Sequence, residues 1–498
     1  MNFKRKQKLF FLFTTLLFIA FTKYSNAATF YVPDNYSTIQ SAVNAVSSGD
    51  TVYVRAGNYN EQFSISSSNI TVAGIEGSRP RIYAGSMTGG EYLVTISGSN
   101  IRFRNFEIEN TPVESAPQRA LGVTGNDNLI ENIKVHHSWK SGILITGDRN
   151  LLENNEVYLN SMRTDGRTSG TYSVTAQGED NIIRNSLVYE NDGEAISCFK
   201  GRRTIIENNI SYNNRVNIYI DNCPGAIVRN NLAYQSEAGT GHASISVCDE
   251  SYSTEREASD GLRIYNNFSM GGNGSLNIQG GSCWIGLTNA TIAHNTFVND
   301  SSDETFYLSG SSKDIVNTYV VNNIFVNTSS SRIASIGVSD PDLHFHHNLW
   351  SVAPSNSNAR GEGDVIGDPL LAKIGPTSAG ALTADWFRLL SNSPAIDHNN
   401  HVSGIYNDYF YNLRDSLPDY GGHEYNGTGG STPTPYNTPT PRPSPTSTPI
   451  PSPTPPLSPN TVLRRVCSSS DDAEESVSGG SVTLSSSDLE LTQENDNQ

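Results

Sequence analysis

The densest run of chemically capable side chains lies between residues 192 and 221. Asp192 and Glu194 open it, Lys200, Arg202 and Arg203 follow, and Arg215, Asn217, Tyr219 and Asp221 close it, with His242 some way beyond. Such a set can act in two ways. A lysine among arginines can take a proton from a carbon beside a carboxylate, because the arginines neutralise that carboxylate and make the proton acidic. In this reading Lys200 is the base and Arg202, Arg203 and Arg215 clamp the acid group, which is the chemistry of β-elimination in a uronic acid polymer. Alternatively, Glu194 and Asp221 flank a glycosidic bond as acid and base, and their separation sets retention or inversion. Asn217, Tyr219 and His242 are the expected substrate-binding groups around either pair.

These residues work together only if the fold stacks them. A short phrase ending in Asn recurs at Asn105, Asn132, Asn154, Asn185, Asn208, Asn230, Asn266, Asn295, Asn323 and Asn348, at intervals of 22 to 36 residues. Repeats of that length indicate stacked units. Within each unit, pieces of four to six residues alternate apolar and polar, as in 216–221 and 226–232, and no unit has room for a crossover helix. The arrangement that buries one face of every short strand is an all-β, right-handed parallel β-helix of about ten to twelve coils. An Asn repeated at a corner can bond to the next Asn and adopt the left-handed turn.

Superposing the apolar pairs Ile196/Cys198, Ile218/Ile220, Ala243/Ile245, Leu276/Ile278 and Phe306/Leu308 assigns three outward columns. The first runs Ala195, Asn217, His242, Ser275 and Thr305; the second Ser197, Tyr219, Ser244, Asn277 and Tyr307; the third Phe199, Asp221, Ser246, Gln279 and Ser309. Cys223 and Cys248 then fall at equivalent points of adjacent coils, where a disulfide or two buried thiols would fit.

The N-terminal segment Thr38-Ile39-Gln40-Ser41-Ala42-Val43 reads as a capping helix, followed by the strand Thr51-Val52-Tyr53-Val54 and the turn Ala56-Gly57-Asn58-Tyr59. This stretch resembles the N-terminal cap of the pectin-lyase-like superfamily, and the resemblance extends over residues 29–425. It implies the β-helix fold, and that superfamily includes lyases, hydrolases, esterases, epimerases and surface binders. Several β-helix lyases pair a basic residue with calcium held by clustered carboxylates; Asp192, Glu194 and Asp221 would be the Ca2+ ligands here. The run of several Asp found in the lysine-dependent pectate lyases is absent.

Other candidates are the corner His136, His137, Trp139 and Lys140, where Trp139 could stack on a sugar, and Asp342, His344 and His346, which alternate on one strand as a possible metal row.

Residues 1–27 read as a signal peptide: Lys4, Arg5, Lys6 and Lys8, an apolar run too short to cross a membrane, and the small-residue site Ser25-Asn26-Ala27. No other apolar run is long enough to span. Removing the leader's five positive charges takes the net charge from −17 to near −22, which argues against nucleic acid as a partner. Five cysteines without a CxxC pair argue against structural zinc. The β-helix is expected over 28–361, its C-terminal cap over 362–427, and a Pro/Thr/Ser-rich disordered linker over 428–460. That linker holds 12 of the 23 prolines. A disordered tail or truncated accessory module fills 461–498.

The expectation is a secreted, monomeric, carbohydrate-active protein whose partner is an extracellular polysaccharide. Polysaccharide lyase is the first reading, glycoside hydrolase the second and a non-catalytic carbohydrate-binding or surface solenoid the third.

Overall fold

The computed structural model describes residues 27–162, 172–236, 243–250, 258–278, 283–284, 287–299, 303–308, 315–328, 333–337, 340–398 and 400–427, with three short strands between 476 and 491. The predicted leader, apart from Ala27, and the predicted linker lie outside the described residues. Two units are distinguished, Met1–Thr434 and Pro435–Gln498. In the second, Ser476–Val477, Gly480–Leu484 and Leu489–Leu491 pair antiparallel.

The first unit is a right-handed parallel β-helix with three sheets. Sheet A has 13 strands starting at Thr29–Val32, sheet B has 13 starting at Asn58–Tyr59, and sheet C has 11 starting at Phe63–Ile65. Every pairing within these sheets is parallel and joins one coil to the next, so residues in register stand about 4.8 Å apart. The bore is filled by inward residues such as Ile196, Ile218, Phe297 and Phe325. Helix Ile39–Ala45 turns Ile39, Ala42 and Val43 onto the first coils, with Thr38 capping its N-terminus through Ser41.

The recurrent asparagine proves to be two adjacent columns with different tasks. Asn105, Asn132, Asn154, Asn185, Asn208, Asn230 and Asn266 take the left-handed conformation, with φ between 51° and 64°. The residues just after them turn inward, and there Asn209, Asn231, Asn267, Asn295, Asn323 and Asn348 form a buried ladder. Each main-chain N–H along it donates to the next Asn Oδ1, as from Asn231 to Asn267 at 3.0 Å and from Asn267 to Asn295 at 2.9 Å. The last three asparagines of the sequence repeat therefore belong to the ladder; His294, Asn322 and His347 hold the left-handed positions beside them. Asn267→Ala strands the Asn231 N–H and the carbonyls of Val228 and Tyr265. It is expected to cost at least about 2 kcal/mol in urea unfolding.

Of residues 362–427, only the first few sit at the end of the helix, where Val365–Ile366 pairs with Leu349–Trp350. The rest runs back along the flank as a strap over sheet B. The outward residues of that sheet turn apolar from Leu187 onward, and the strap covers them: Leu371, Leu382, Trp386, Phe387, Tyr409 and Tyr420 pack with Tyr212, Leu232, Tyr234, Phe268, Val298 and Ile324. Phe268 lies between Phe387 and Tyr409, at centroid distances of 4.7 and 4.3 Å. The left-handed Asn column fastens the strap backbone. Asn230 donates to Tyr409 O, Asn266 to Asn407 O and Asn322 to Asn400 O. The expected end cap is thus mostly a side cover, because the exposed apolar surface lies on the flank.

Candidate functional site

On sheet C the strands Tyr172–Ala176, Glu194–Phe199 and Val216–Asp221 lie side by side. Register aligns Tyr172, Glu194 and Val216 in one outward column, Thr175, Ser197 and Tyr219 in the next, and Phe199 with Asp221 in the third. The Tyr172 ring reaches across the face to stack on Phe199 at 5.3 Å, and Thr175 and Ser197 lie buried in the column between them.

A short strand, Asp249–Glu250, brings a further carboxylate to this face. Asp249 is pinned by Ser259 Oγ at 2.6 Å, by Ser259 N at 2.8 Å and by Asn222 N at 2.9 Å. The Glu250 N–H donates to Asp221 Oδ1 at 2.9 Å, and Glu250 Oε1 accepts from the Tyr219 hydroxyl at 3.2 Å. Tyr219 packs with Val216 and Cys248.

Three carboxyl groups therefore share one electrostatic environment. Burial first, then the charges of Asp221 and Glu250, hold the Glu194 pKa well above the ordinary carboxylate range, and Arg215 only partly opposes them. Glu194 Oε2 is closed off from solvent and has no hydrogen-bond partner among the described residues. Burial, reinforced by Glu194 and Glu250, also keeps the Tyr219 phenol protonated. The site offers a neutral carboxylic acid beside other carboxylates, an arrangement that separates acid from base.

The structure brings Glu194, Asp221, Tyr219 and Arg215 together and disperses the other predicted residues. Lys200 is exposed in a left-handed turn (φ 57°), with its ammonium 5.1 Å from the Phe199 ring centroid. Arg202 and Arg203 point to Glu179 and Asp180, in ion pairs of 3.9, 2.7 and 2.6 Å, so they do not clamp a substrate at Glu194. Asn217 is fully buried and faces inward, donating to Tyr234 O at 3.0 Å and accepting from Asn214 Nδ2 at 2.9 Å. Ser275 and Thr305 do the same with Val298 O and Val326 O, so the first outward column is in fact an inward polar corner. His242 lies outside the described residues.

Asp192 is exposed on a turn, and the three proposed calcium ligands Asp192, Glu194 and Asp221 form no metal grouping among the described residues. Carboxylate and imidazole ligand atoms do gather elsewhere: those of Glu107, Glu109 and His136 lie within 4.8 Å of one another on sheet B. Arg81 already compensates them, at 2.5 Å from Glu109 and 3.8 Å from Glu107. His344 stacks on Tyr319, and His346 Nδ1 lies 3.0 Å from His347 Nδ1; these residues form no metal grouping among the described residues.

Two further corrections share one cause. The coil after Asp221 pairs Ile245 with Ile218 and Val247 with Ile220, two residues out of step with the register read from the apolar pairs. Ser246 therefore neighbours Tyr219, and Cys248 comes beside Asp221 rather than Cys223. Cys223 is bonded to Cys198, with Cα atoms 6.0 Å apart, and Cys248 is disulfide-bonded separately. A slip of two residues leaves every side chain on its own face, so alternation alone does not detect it. Glu250 and Tyr172 were missed because both come from the edges of loops whose path the repeat does not set.

A family profile described as "Pel9A-like, right handed beta helix region" matches residues 19–228, a span that includes Glu194, Tyr219 and Asp221. No curated protein matches the chain. Among solved structures, pectate lyase Pel9A is 16% identical with a TM-score of 0.52, covering 81% of this chain and 97% of its own. XylC in complex with xylose is 10% identical with a TM-score of 0.49, covering 79% and 98%. DFA-IIIase from Arthrobacter chlorophenolicus A6 without its lid is 11% identical with a TM-score of 0.48, covering 69% and 98%. With its three parallel sheets and its N-terminal capping helix, the chain is a right-handed parallel β-helix protein whose residues 19–228 are similar to the Pel9A-like profile.

Proposed function

We propose that the protein is a polysaccharide-cleaving enzyme whose reaction centre is the carboxyl cluster of Glu194, Asp221 and Glu250. The observation that carries this is Glu194, a carboxylic acid kept protonated by burial and by its carboxylate neighbours, with a sealed and unpartnered oxygen. Such an acid protonates the oxygen of a departing sugar, while Asp221 activates water or attacks the anomeric carbon. Arg215 and Tyr219 orient the groups, and the Tyr172–Phe199 pair supplies an apolar floor for a sugar ring. Hydrolysis is the outcome this geometry supports best.

β-Elimination is the second reading, favoured by the Pel9A-like match and by Lys200 at the rim. It ranks lower because the Lys200 ammonium is exposed and in no ion pair with the cluster among the described residues. Secretion is part of the proposal, supported by the leader-like residues 1–27 and the Cys198–Cys223 disulfide.

The test is to incubate the protein with polygalacturonate, alginate, glycosaminoglycans and neutral glycans, measuring new reducing ends and near-ultraviolet absorbance together. Reducing ends without absorbance are expected. Rising absorbance would report unsaturated uronate and replace hydrolysis by elimination, and neither signal on any glycan would leave a binding solenoid.

A further inference from the structure

Resting on that reading of the reaction centre, we infer that Asp249 is a positioning residue of the reaction, which aims the Asp221 carboxylate and holds Glu250 beside Tyr219 through a reciprocal clasp between two dipeptides. The dipeptides are Asp221-Asn222, at the end of a sheet C strand, and Asp249-Glu250, on the coil that follows. The Glu250 N–H donates to Asp221 Oδ1 at 2.9 Å, and the Asn222 N–H donates to Asp249 Oδ1 at the same distance. Each carboxylate thus takes the main-chain N–H that follows the other. Both aspartates are buried, and main-chain donors supply the hydrogen bonds that a buried carboxylate needs, in a direction fixed by the backbone.

The two halves of the clasp are unequal. Ser259 grips Asp249 a second time, through its Oγ at 2.6 Å and its N–H at 2.8 Å, and the Cys223 N–H donates to the same Oγ at 3.1 Å. Asp249 and Ser259, ten residues apart, therefore close the neck of the segment between them and tie it to the coil that carries Asp221. Glu250 follows directly from this neck. Its N–H fixes Asp221, and its Oε1 accepts from the Tyr219 hydroxyl at 3.2 Å. Asp249 is only 3% exposed, so it has almost no surface to offer a substrate and acts through Asp221 and Glu250.

The clasp also bears on the acid. Asp221 and Glu250 oppose the ionisation of Glu194, Arg215 favours it, and the Tyr219 phenol shares the same environment. With Glu250 turned away, Glu194 would hold its proton less strongly. The strand itself would stay, because Asp249 and Glu250 pair with Trp284 and Cys283 and because Cys248 before them is disulfide-bonded. Loss of the Asp249 carboxylate therefore disturbs aim and leaves the fold. A clasp that served stability alone would leave Glu194 unchanged.

The experiment titrates the Glu194 carboxyl by infrared difference spectroscopy, its band identified by its absence in Glu194→Gln, in the wild type and in Ser259→Ala, Asp249→Asn and Asp249→Ala. Ser259→Ala removes one donor from Asp249, Asp249→Asn turns an amide donor toward the Ser259 N–H, and Asp249→Ala opens the clasp. The Glu194 midpoint should fall in that order, least in Ser259→Ala. On the glycan that the wild type cleaves, kcat should fall in the same order, reaching about tenfold to a hundredfold in Asp249→Ala, with KM changed by less than about threefold. The alkaline limb of activity should move to lower pH together with the midpoint. A kcat within about twofold of the wild type in folded Asp249→Asn overturns the role of Asp249. A fall in kcat with the midpoint and the alkaline limb unmoved overturns it too, and marks the clasp as a structural tie. If both Asp249 variants fail to fold, the same readings on Ser259→Ala decide. Cleavage lost in Glu194→Gln but kept in the Asp249 variants removes Asp249 alone; cleavage that survives in Glu194→Gln, or none by the wild type, removes the reaction centre and the role of Asp249 with it.

Discussion

Glu194→Gln abolishes glycan cleavage, by about a hundredfold to ten-thousandfold, while the protein folds normally. The amide keeps the shape of the side chain and cannot give up a proton, so the leaving oxygen departs unprotonated. The pH dependence of the wild type follows from the raised pKa. Glu194 is the competent acid below that pKa, so activity falls as pH rises through it. The same shift acts on stability with a definite sign. A carboxyl whose pKa is higher in the folded state favours folding below its unfolded pKa, and that contribution is lost as pH rises through the folded one. Glu194→Gln removes this loss, so thermal melts above neutral pH should show the variant at least as stable as the wild type. A variant that keeps cleaving, or one that melts much earlier at alkaline pH, would deny Glu194 its role as the buried acid.

Arg414→Met detaches the strap, at a cost of about 3–5 kcal/mol. Arg414 and Glu424 form an ion pair at 3.1 Å and are 0% and 1% exposed. Arg414 also donates to Asn266 Oδ1 at 2.9 Å, which ties the strap to a coil of the β-helix, and to Gly421 O. Without it, Glu424, Asp408 and Asp419 remain in the interior as uncompensated acids. Asp419 is already pushed up to about 7, chiefly by burial and then by Glu424. The penalty should therefore grow with pH and ease on acidification, as these carboxyls take up protons. Urea melts of the variant across that range test the sign, and a penalty independent of pH would mean that the buried acids are not what Arg414 holds. Dye binding to the uncovered Phe268, Tyr234 and Leu232 should rise in parallel.

The contrast between these two sites explains how far the chain could be read. The coils were legible because their signals are local and repeated: alternation along 216–221, the left-handed Asn105 to Asn266, and the capping segment at Thr38. Glu194 and Asp221 were legible as a pair because both lie on strands whose register, Ile196 to Ile218, follows from the same alternation. Arg202 and Arg203 were misplaced because a turn decides which way a side chain leaves it, and their partners Glu179 and Asp180 come from the preceding coil. Asn217 was misplaced because the corner before Ile218 turns two successive residues inward, which a strict alternation does not allow.

Composition and periodicity are sums over neighbours in the chain, and they were enough to require a parallel β-helix with an acidic surface. They did not reveal that the outward columns of sheet B, apolar from Leu187 on, need a cover along the flank. What covers them, and what completes the reaction centre, depends on residues far away in the chain: the strap with Arg414 and Tyr409, and the loop strand with Glu250. Each joins the coils through contacts that span from tens of residues to well over a hundred. Loop closure over such lengths costs little more than over short ones, so nothing in the local pattern selects the path. Burial of the apolar flank and satisfaction of Asp221, Asp249 and Tyr219 select it once the whole chain has folded.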